Sequence, residues 1–176
     1  MRFIPTPLQG AYVIEPETIV DERGFFARTW CEHEFADHGL NPNLVQCNIS
    51  YNKVRGTLRG MHYQRAPHVE AKLVRCTQGG IYDVVVDLRS DSKSFAQWFG
   101  VELTAENRIA LYVPEGMAHG FLTLHDGTEV LYQMSDFFHA ASAAGVRWDD
   151  SAFGIHWPGQ VKVISERDRN YQDFQG

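Results

Sequence analysis

Ala71-Lys72-Leu73-Val74-Arg75-Cys76-Thr77 and Gly80-Ile81-Tyr82-Asp83-Val84-Val85-Val86-Asp87 are two short runs parted by Gln78-Gly79. Both mix apolar and polar residues at a spacing closer to two than to 3.6, and turn residues bound them, which is the signature of half-buried strands. The same reading extends outward in both directions. Candidate strands precede the pair at Ala11 to Ile14, Phe25 to Thr29, Leu44 to Tyr51 and Thr57 to Gln64. Others follow at Gln97 to Leu103, Ala110 to Val113, His119 to Thr123 and Thr128 to Ser135. Helical periodicity is scarce: one short helix fits Cys31 to His38, closed by Gly39, and a turn of helix fits Thr104 to Arg108. No linker, low-complexity stretch or fixed-period repeat divides residues 1–176. The expectation is one all-β domain, a sandwich or barrel with jelly rolls among the candidates.

Strand parity places particular side chains. Tyr132 shares a face with Val130 and Met134, so its ring is expected inside. Lys72 shares a face with Val74 and Cys76, and a lysine inside a barrel is costly unless something there needs its charge. The alternative is that Leu73 marks the inward face and Lys72 is solvated, as most lysines are.

The bulk properties exclude several classes. With 176 residues and 44% hydrophobic content the chain can bury a core of one domain. A net charge of −6 and pI near 5.7 leave no basic stripe for a phosphate backbone, so no nucleic-acid partner is expected. There is no apolar run of membrane-spanning length, and Met1-Arg2-Phe3-Ile4-Pro5 lacks the apolar core of a secretory signal, so no membrane partner and a cytoplasmic location are expected. Cys31, Cys47 and Cys76 are odd in number and show no C-x-x-C spacing; buried free thiols are the expectation.

Pro114-Glu115-Gly116-Met117-Ala118-His119 has the P-x-G-x-x-H form and resembles the second motif of the cupin superfamily. The first cupin motif is incomplete, since Gln64 stands where a second histidine belongs after His62. A metal held by His62, Glu70 and His119 is the open three-ligand alternative, but no metal or other cofactor is expected.

The string Gly56-Thr57-Leu58-Arg59-Gly60-Met61-His62-Tyr63-Gln64 resembles the G-x-L-R-G-x-H-Y-Q signature of the dTDP-4-dehydrorhamnose 3,5-epimerase family. Further matches in order are Asp21-Glu22-Arg23-Gly24-Phe25-Phe26, Val45-Gln46-Cys47-Asn48-Ile49-Ser50, Lys72-Leu73-Val74-Arg75, Trp148-Asp149-Asp150 and Ser165-Glu166-Arg167-Asp168. The resemblance thus covers nearly the whole chain and implies a cupin-type jelly-roll β-barrel with a few short helices. It also implies an isomerase that inverts carbon 3, carbon 5 or both of a nucleoside diphosphate 4-keto-6-deoxy sugar.

That implied chemistry suits the residues. Hydrogens beside a carbonyl are acidified, and inversion needs a base on one face and a proton donor on the other. Histidine suits the first role, and His62 is the candidate base. By the resemblance Asp168 pairs with its other ring nitrogen, Tyr132 is the acid, and Lys72 stabilises the enolate oxygen. Asp83 is placed near Lys72 without an assigned role. Taken singly, each has an ordinary reading: a core histidine, a core aromatic, a solvated loop carboxylate. For the nucleoside diphosphate the resemblance nominates Arg23, Arg59 and Arg167, with His119 donating to substrate oxygen, Gln46 and Asn48 giving polar contacts and Phe26 packing near the base. Simple alternation sets Arg59 and His62 on opposite faces, and Gly60 is where a bulge can re-aim one of them.

The chain departs from the family pattern in places. Arg28 stands where a nucleotide-binding glutamate is usual, Phe138 replaces a tyrosine, an expected glutamate falls within Ala140-Ala141-Ser142-Ala143-Ala144, and the usual Q-x-K reads Glu70-Ala71-Lys72. Arg28 suggests a nucleotide other than dTDP. The resemblance also implies a homodimer with an exchanged N-terminal segment, through which Arg28 reaches a partner's pocket. The competing readings are a metal-dependent cupin oxygenase or isomerase, and a binding module without turnover.

Overall fold

The computed structural model describes residues 1–176. In chain order the elements are β1 (Arg2–Pro5), β2 (Tyr12–Glu15), β3 (Thr18–Asp21), β4 (Gly24–Ala27), α1 (Glu32–Asp37), β5 (Gln46–Asn52), β6 (Thr57–Gln64), β7 (Lys72–Gln78) and β8 (Gly80–Asp87). They continue with β9 (Trp98–Thr104), β10 (Ala110–Val113), β11 (Met117–Thr123), β12 (Thr128–Met134), β13 (Ala143–Gly145), β14 (Val163–Ile164) and α2 (Glu166–Arg169). One sheet runs β1-β2-β10-β7-β12-β5 and a second β13-β6-β11-β8-β9, with β14 added parallel to β6. The break at Gln78-Gly79 is where the chain passes from the first sheet to the second. Gly79 has φ +73°, and a Cβ there would sit 2.6 Å from Thr128 Oγ1, so glycine is required at this crossing.

Apolar residues fill three layers. Between the sheets, Val13, Val74, Cys76 and Val130 of the first meet Ile81, Val85, Leu103 and Phe121 of the second. The outer face of the first sheet is covered by α1, whose Phe35 packs on Ile14, Leu73 and Tyr112. The outer face of the second packs Met61, Val84 and Val86 against Val146 and Phe153 of the C-terminal segment. Because both faces of β7 are covered, Leu73 and Lys72 are both buried, and parity alone could not separate them.

Several sequence expectations change. Thr104 to Arg108 is a turn closed by the Arg108 amide on the Thr104 carbonyl, not a helix. β1, β3, β13, β14 and α2 were not anticipated: β13 is Ala-Ala-Gly, β14 has two residues, and β1 ends in proline. Only Cys76 is buried, its thiol pushed up to about 11 by burial; Cys47 is exposed and Cys31 half-buried, all three free. Cys47 lies on the outward parity of edge strand β5, where alternation sends every second side chain to solvent. The β3–β4 hairpin stands apart as a two-stranded sheet with Ile19 68%, Val20 75% and Phe26 71% exposed. No helix is long and apolar enough to cross a membrane.

Candidate active site

A cavity of ≈ 270 Å³ opens between the two sheets. From the second sheet it receives Arg59 and His62 of β6 and His119 of β11; from the first it receives Asn48 of β5, Lys72 of β7 and Tyr132 of β12. Arg167 of α2 closes one side.

β6 can present both Arg59 and His62 because its register breaks between them. His119 of β11 pairs with His62, whereas Phe121, two residues on, pairs with Arg59, three residues back. β6 therefore carries one extra residue, a β-bulge, and both side chains reach one face. Gly60 has φ +140°, and a Cβ on it would lie 2.5 Å from the Cα of Gly120, so no other residue fits. Arg59 Nε donates to buried Asn52 Oδ1 at 2.7 Å, which fixes the guanidinium across the gap between the sheets.

His62 Nε2 lies 2.7 Å from Asp168 Oδ1, with the imidazole side chain 39% exposed and the carboxylate only 6%. Asp168 is positioned by α2: Ser165 is the N-cap, its Oγ accepting the Asp168 amide N–H at 3.0 Å. Burial works to raise the Asp168 pKa, but donation from His62 and the Gly60 amide outweighs it and holds the carboxyl below its ordinary value. An ionised carboxylate only accepts, so Nε2 donates to it, and Nδ1 is the nitrogen of the neutral ring that is left with a lone pair. Tyr171 presents its ring edge-on to His62 at 6.1 Å, in space left by Gly145, the β13 partner of His62.

The other groups differ in what already holds them. Lys72 Nζ pairs with Glu70 Oε1 at 3.0 Å and donates to the His62 carbonyl at 3.2 Å. Burial raises the Tyr132 pKa, opposed by Ser50 and by the positive charge of Arg59, so the phenol keeps its proton at neutral pH. His119 Nε2 is turned to Asp83 Oδ1 at 2.7 Å. Asp83 is fully buried and its pKa is raised by that burial against the pull of His119 and the positive charge of Lys72. The Nε2 of His119 is thus engaged rather than open to a ligand.

Of the residues singled out in the sequence, Asn48, Arg59, His62, Lys72, His119, Tyr132 and Arg167 line one cavity, with Asp168 behind His62. Gln46 stands one step back, its Nε2 donating to Asn48 Oδ1 and its Oε1 accepting the Phe138 amide. Arg23, Phe26 and Arg28 do not line the cavity of their own chain. Arg23 pairs with Asp21 within the hairpin turn, Phe26 is exposed, and Arg28 binds Glu34 of α1 at 2.8 Å. His62, Glu70 and His119 do not converge as a ligand set, because two carboxylates and Lys72 hold them; the three potential ligands that do approach within 4.8 Å are His68, Asp136 and His139, on loops outside the barrel. Ser165 and Tyr171 were missed. Ser165 was legible as a helix cap, since serine followed three residues on by an acid is a helix-start pattern.

A jelly roll of two sheets, with a histidine–carboxylate pair, a phenol and a buried lysine around one central cavity, defines a cupin-type isomerase. The family model described as dTDP-4-dehydrorhamnose 3,5-epimerase matches residues 5–176. A dTDP-4-dehydrorhamnose 3,5-epimerase of Methanothermobacter thermautotrophicus is 47% identical over 99% of this chain and 95% of its own. The crystal structure of such an enzyme from Elizabethkingia anophelis superposes with a TM-score of 0.96 at 41% identity, covering 99% of this chain and 96% of that one. One from Bacillus anthracis, solved with TDP and PPi bound, gives 0.93 at 39% identity, covering 98% and 99%. The chain belongs to the dTDP-4-dehydrorhamnose 3,5-epimerase family.

Proposed function

We propose that this protein inverts carbon 3, carbon 5 or both of a dTDP-linked 4-keto-6-deoxyhexose by stepwise proton transfer. The observation that carries this is that His62 and Tyr132 reach one cavity from opposite sheets, which supports a base and an acid on the two faces of a sugar ring placed between them. His62 Nδ1 takes the proton from the carbon beside the ketone, and Asp168 stabilises the imidazolium that forms. The electron pair moves into an enolate whose oxygen meets the remaining N–H of Lys72. Tyr132 returns a proton from the other face, inverting the centre. Arg59 and Arg167 at the cavity hold the diphosphate.

The hairpin enters through a partner. We infer a homodimer in which the β3–β4 hairpin of one protomer, with Arg23, Phe26 and Arg28, extends towards the cavity of the other. The exposed apolar residues of the hairpin, and Ile49 and Tyr51 on edge strand β5, support such an association. A cytoplasmic site of action follows from a soluble sugar-nucleotide substrate.

The test is a panel of 4-keto-6-deoxyhexoses linked to dTDP, CDP, GDP and UDP, incubated in heavy water and followed by proton NMR. Deuterium should enter at carbon 3, carbon 5 or both with the dTDP sugar, and His62→Ala should abolish uptake. No exchange on any member of the panel would overturn the assignment. Faster exchange on a CDP, GDP or UDP sugar would show that Arg28 has redirected the nucleotide preference.

A further inference from the structure

Glu70 belongs to the loop between β6 and β7, and its side chain is 5% exposed. One oxygen, Oε1, is held by Lys72 Nζ at 3.0 Å; the other, Oε2, is buried without any hydrogen-bond partner. Leaving a buried charged acceptor unmade costs more than a typical hydrogen bond contributes, roughly 1–3 kcal/mol or above, so such a group calls for a partner from outside the chain. Glu70 is also the only carboxylate lining the cavity. Arg59, Lys72 and Arg167 around it are cations, which suit phosphate and enolate oxygens and can accept nothing from a hydroxyl.

We propose that Glu70 is a specificity-determining residue whose free oxygen accepts the hydroxyl proton next to the sugar ketone, so that the site selects sugars carrying a hydroxyl at carbon 3. This rests on the reading of the preceding subsection, and on one asymmetry of the substrate. A 4-keto-6-deoxyhexose has a hydroxyl on carbon 3, whereas carbon 5 carries only a methyl group and the ring oxygen. With Lys72 at the carbonyl oxygen, its ion-pair partner 3.0 Å away is the one carboxylate of the cavity wall that can meet a hydroxyl on a carbon beside the ketone. A carboxylate there is satisfied on the carbon 3 side and has no donor on the carbon 5 side. The pair Lys72–Glu70 thus reads the ketone and the adjacent hydroxyl together and fixes which way round the ring binds.

Sites built to hydrogen-bond a substrate hydroxyl discriminate strongly against the analogue that lacks it, because the polar group of the site is then stranded. The experiment compares kcat/KM for solvent hydrogen exchange at the carbons flanking the ketone, with the dTDP-linked 4-keto-6-deoxy sugar and with its 3-deoxy analogue. The wild-type protein should favour the hydroxylated sugar at least ~100-fold. Glu70→Ala should bring the two within several-fold, and Glu70→Gln, whose carbonyl still accepts, should retain part of the preference. A role exerted only through Lys72 would slow both sugars alike and leave their ratio unchanged; that result, or a wild-type ratio near one, would overturn the proposal. Because the ratio is internal to each preparation, a partly unfolded variant does not mimic the effect. Wild-type exchange with an unaltered ratio in Glu70→Ala defeats this inference alone, whereas wild-type protein inert towards both sugars defeats the epimerase reading and this one with it.

Discussion

Two histidine–carboxylate pairs occupy adjacent strands of one sheet, and His62 and His119 are register partners, yet their surroundings differ. At His62 the ring is 39% exposed and its carboxylate takes a further N–H from Gly60; at His119 the ring is 6% exposed and one oxygen of Asp83 has no partner. Donation wins at Asp168 and lowers its pKa, whereas desolvation wins at Asp83 and raises it. Identical side-chain chemistry thus yields one cavity-lining ring that is well exposed and another that is nearly closed off and tied to a buried aspartate. Pairing alone does not mark the base; exposure of the ring and ionisation of its partner do.

The contrast is most directly broken by removing each ring. His62→Ala should lower solvent exchange by ~10⁴-fold or more, whereas His119→Ala should lower it far less; the rate of deuterium uptake decides, and equal losses would erase the distinction. Exchanging Asp168 for Asn should cost about 10³–10⁴-fold by releasing the ring to the wrong tautomer, and Tyr132→Phe about 10²–10⁴-fold in the same assay. Stability sharpens the comparison from the other side. Asp168→Asn should lose ~1–3 kcal/mol in urea titrations at pH 7, whereas Asp83→Asn, at a carboxyl whose charged form burial disfavours, should lose less or gain. Both contributions fade with acid. A depressed pKa stabilises above the ordinary carboxylate value near ~4 and that benefit fades as pH falls, while a raised pKa destabilises at neutral pH and acid relieves it. Melting curves between pH 3 and pH 7 should therefore show the Asp168→Asn deficit shrinking on acidification. The smallest expected effect is on the alkaline side: because burial raises the Tyr132 phenol, kcat should hold through the ordinary tyrosine range near ~10 instead of falling within it.

Much of this arrangement was legible. Thr57–Gln64, Gly80–Asp87 and Ala110–Val113 have the bounds that alternation and turn residues indicate. Parity set Tyr132 on the face of Val130 and Met134, which β12 turns to the cavity, whereas for Lys72 it left two readings that the burial of both faces of β7 explains. What alternation could not supply was any contact made at long range: β14 is two residues long and exists because β6 offers it an edge, and Asp168 lies 106 residues from the ring it holds. The hairpin was hard to read for the opposite reason. Thr18–Asp21 has no inside face in its own chain, so a pattern of burial is missing where Arg23, Phe26 and Arg28 were expected to contribute.

The surplus residue in β6 has a consequence for how this strand tolerates change. A strand is a two-stroke ruler, and one added unit puts its halves out of phase: the half that carries Arg59 and the half that carries His62 can face the same way only while that unit is present. Excising Gly60 would swing the guanidinium of Arg59 to the outer wall and take away the amide N–H that Asp168 accepts, so the cavity would lose a cation and the His62–Asp168 pair one of its supports.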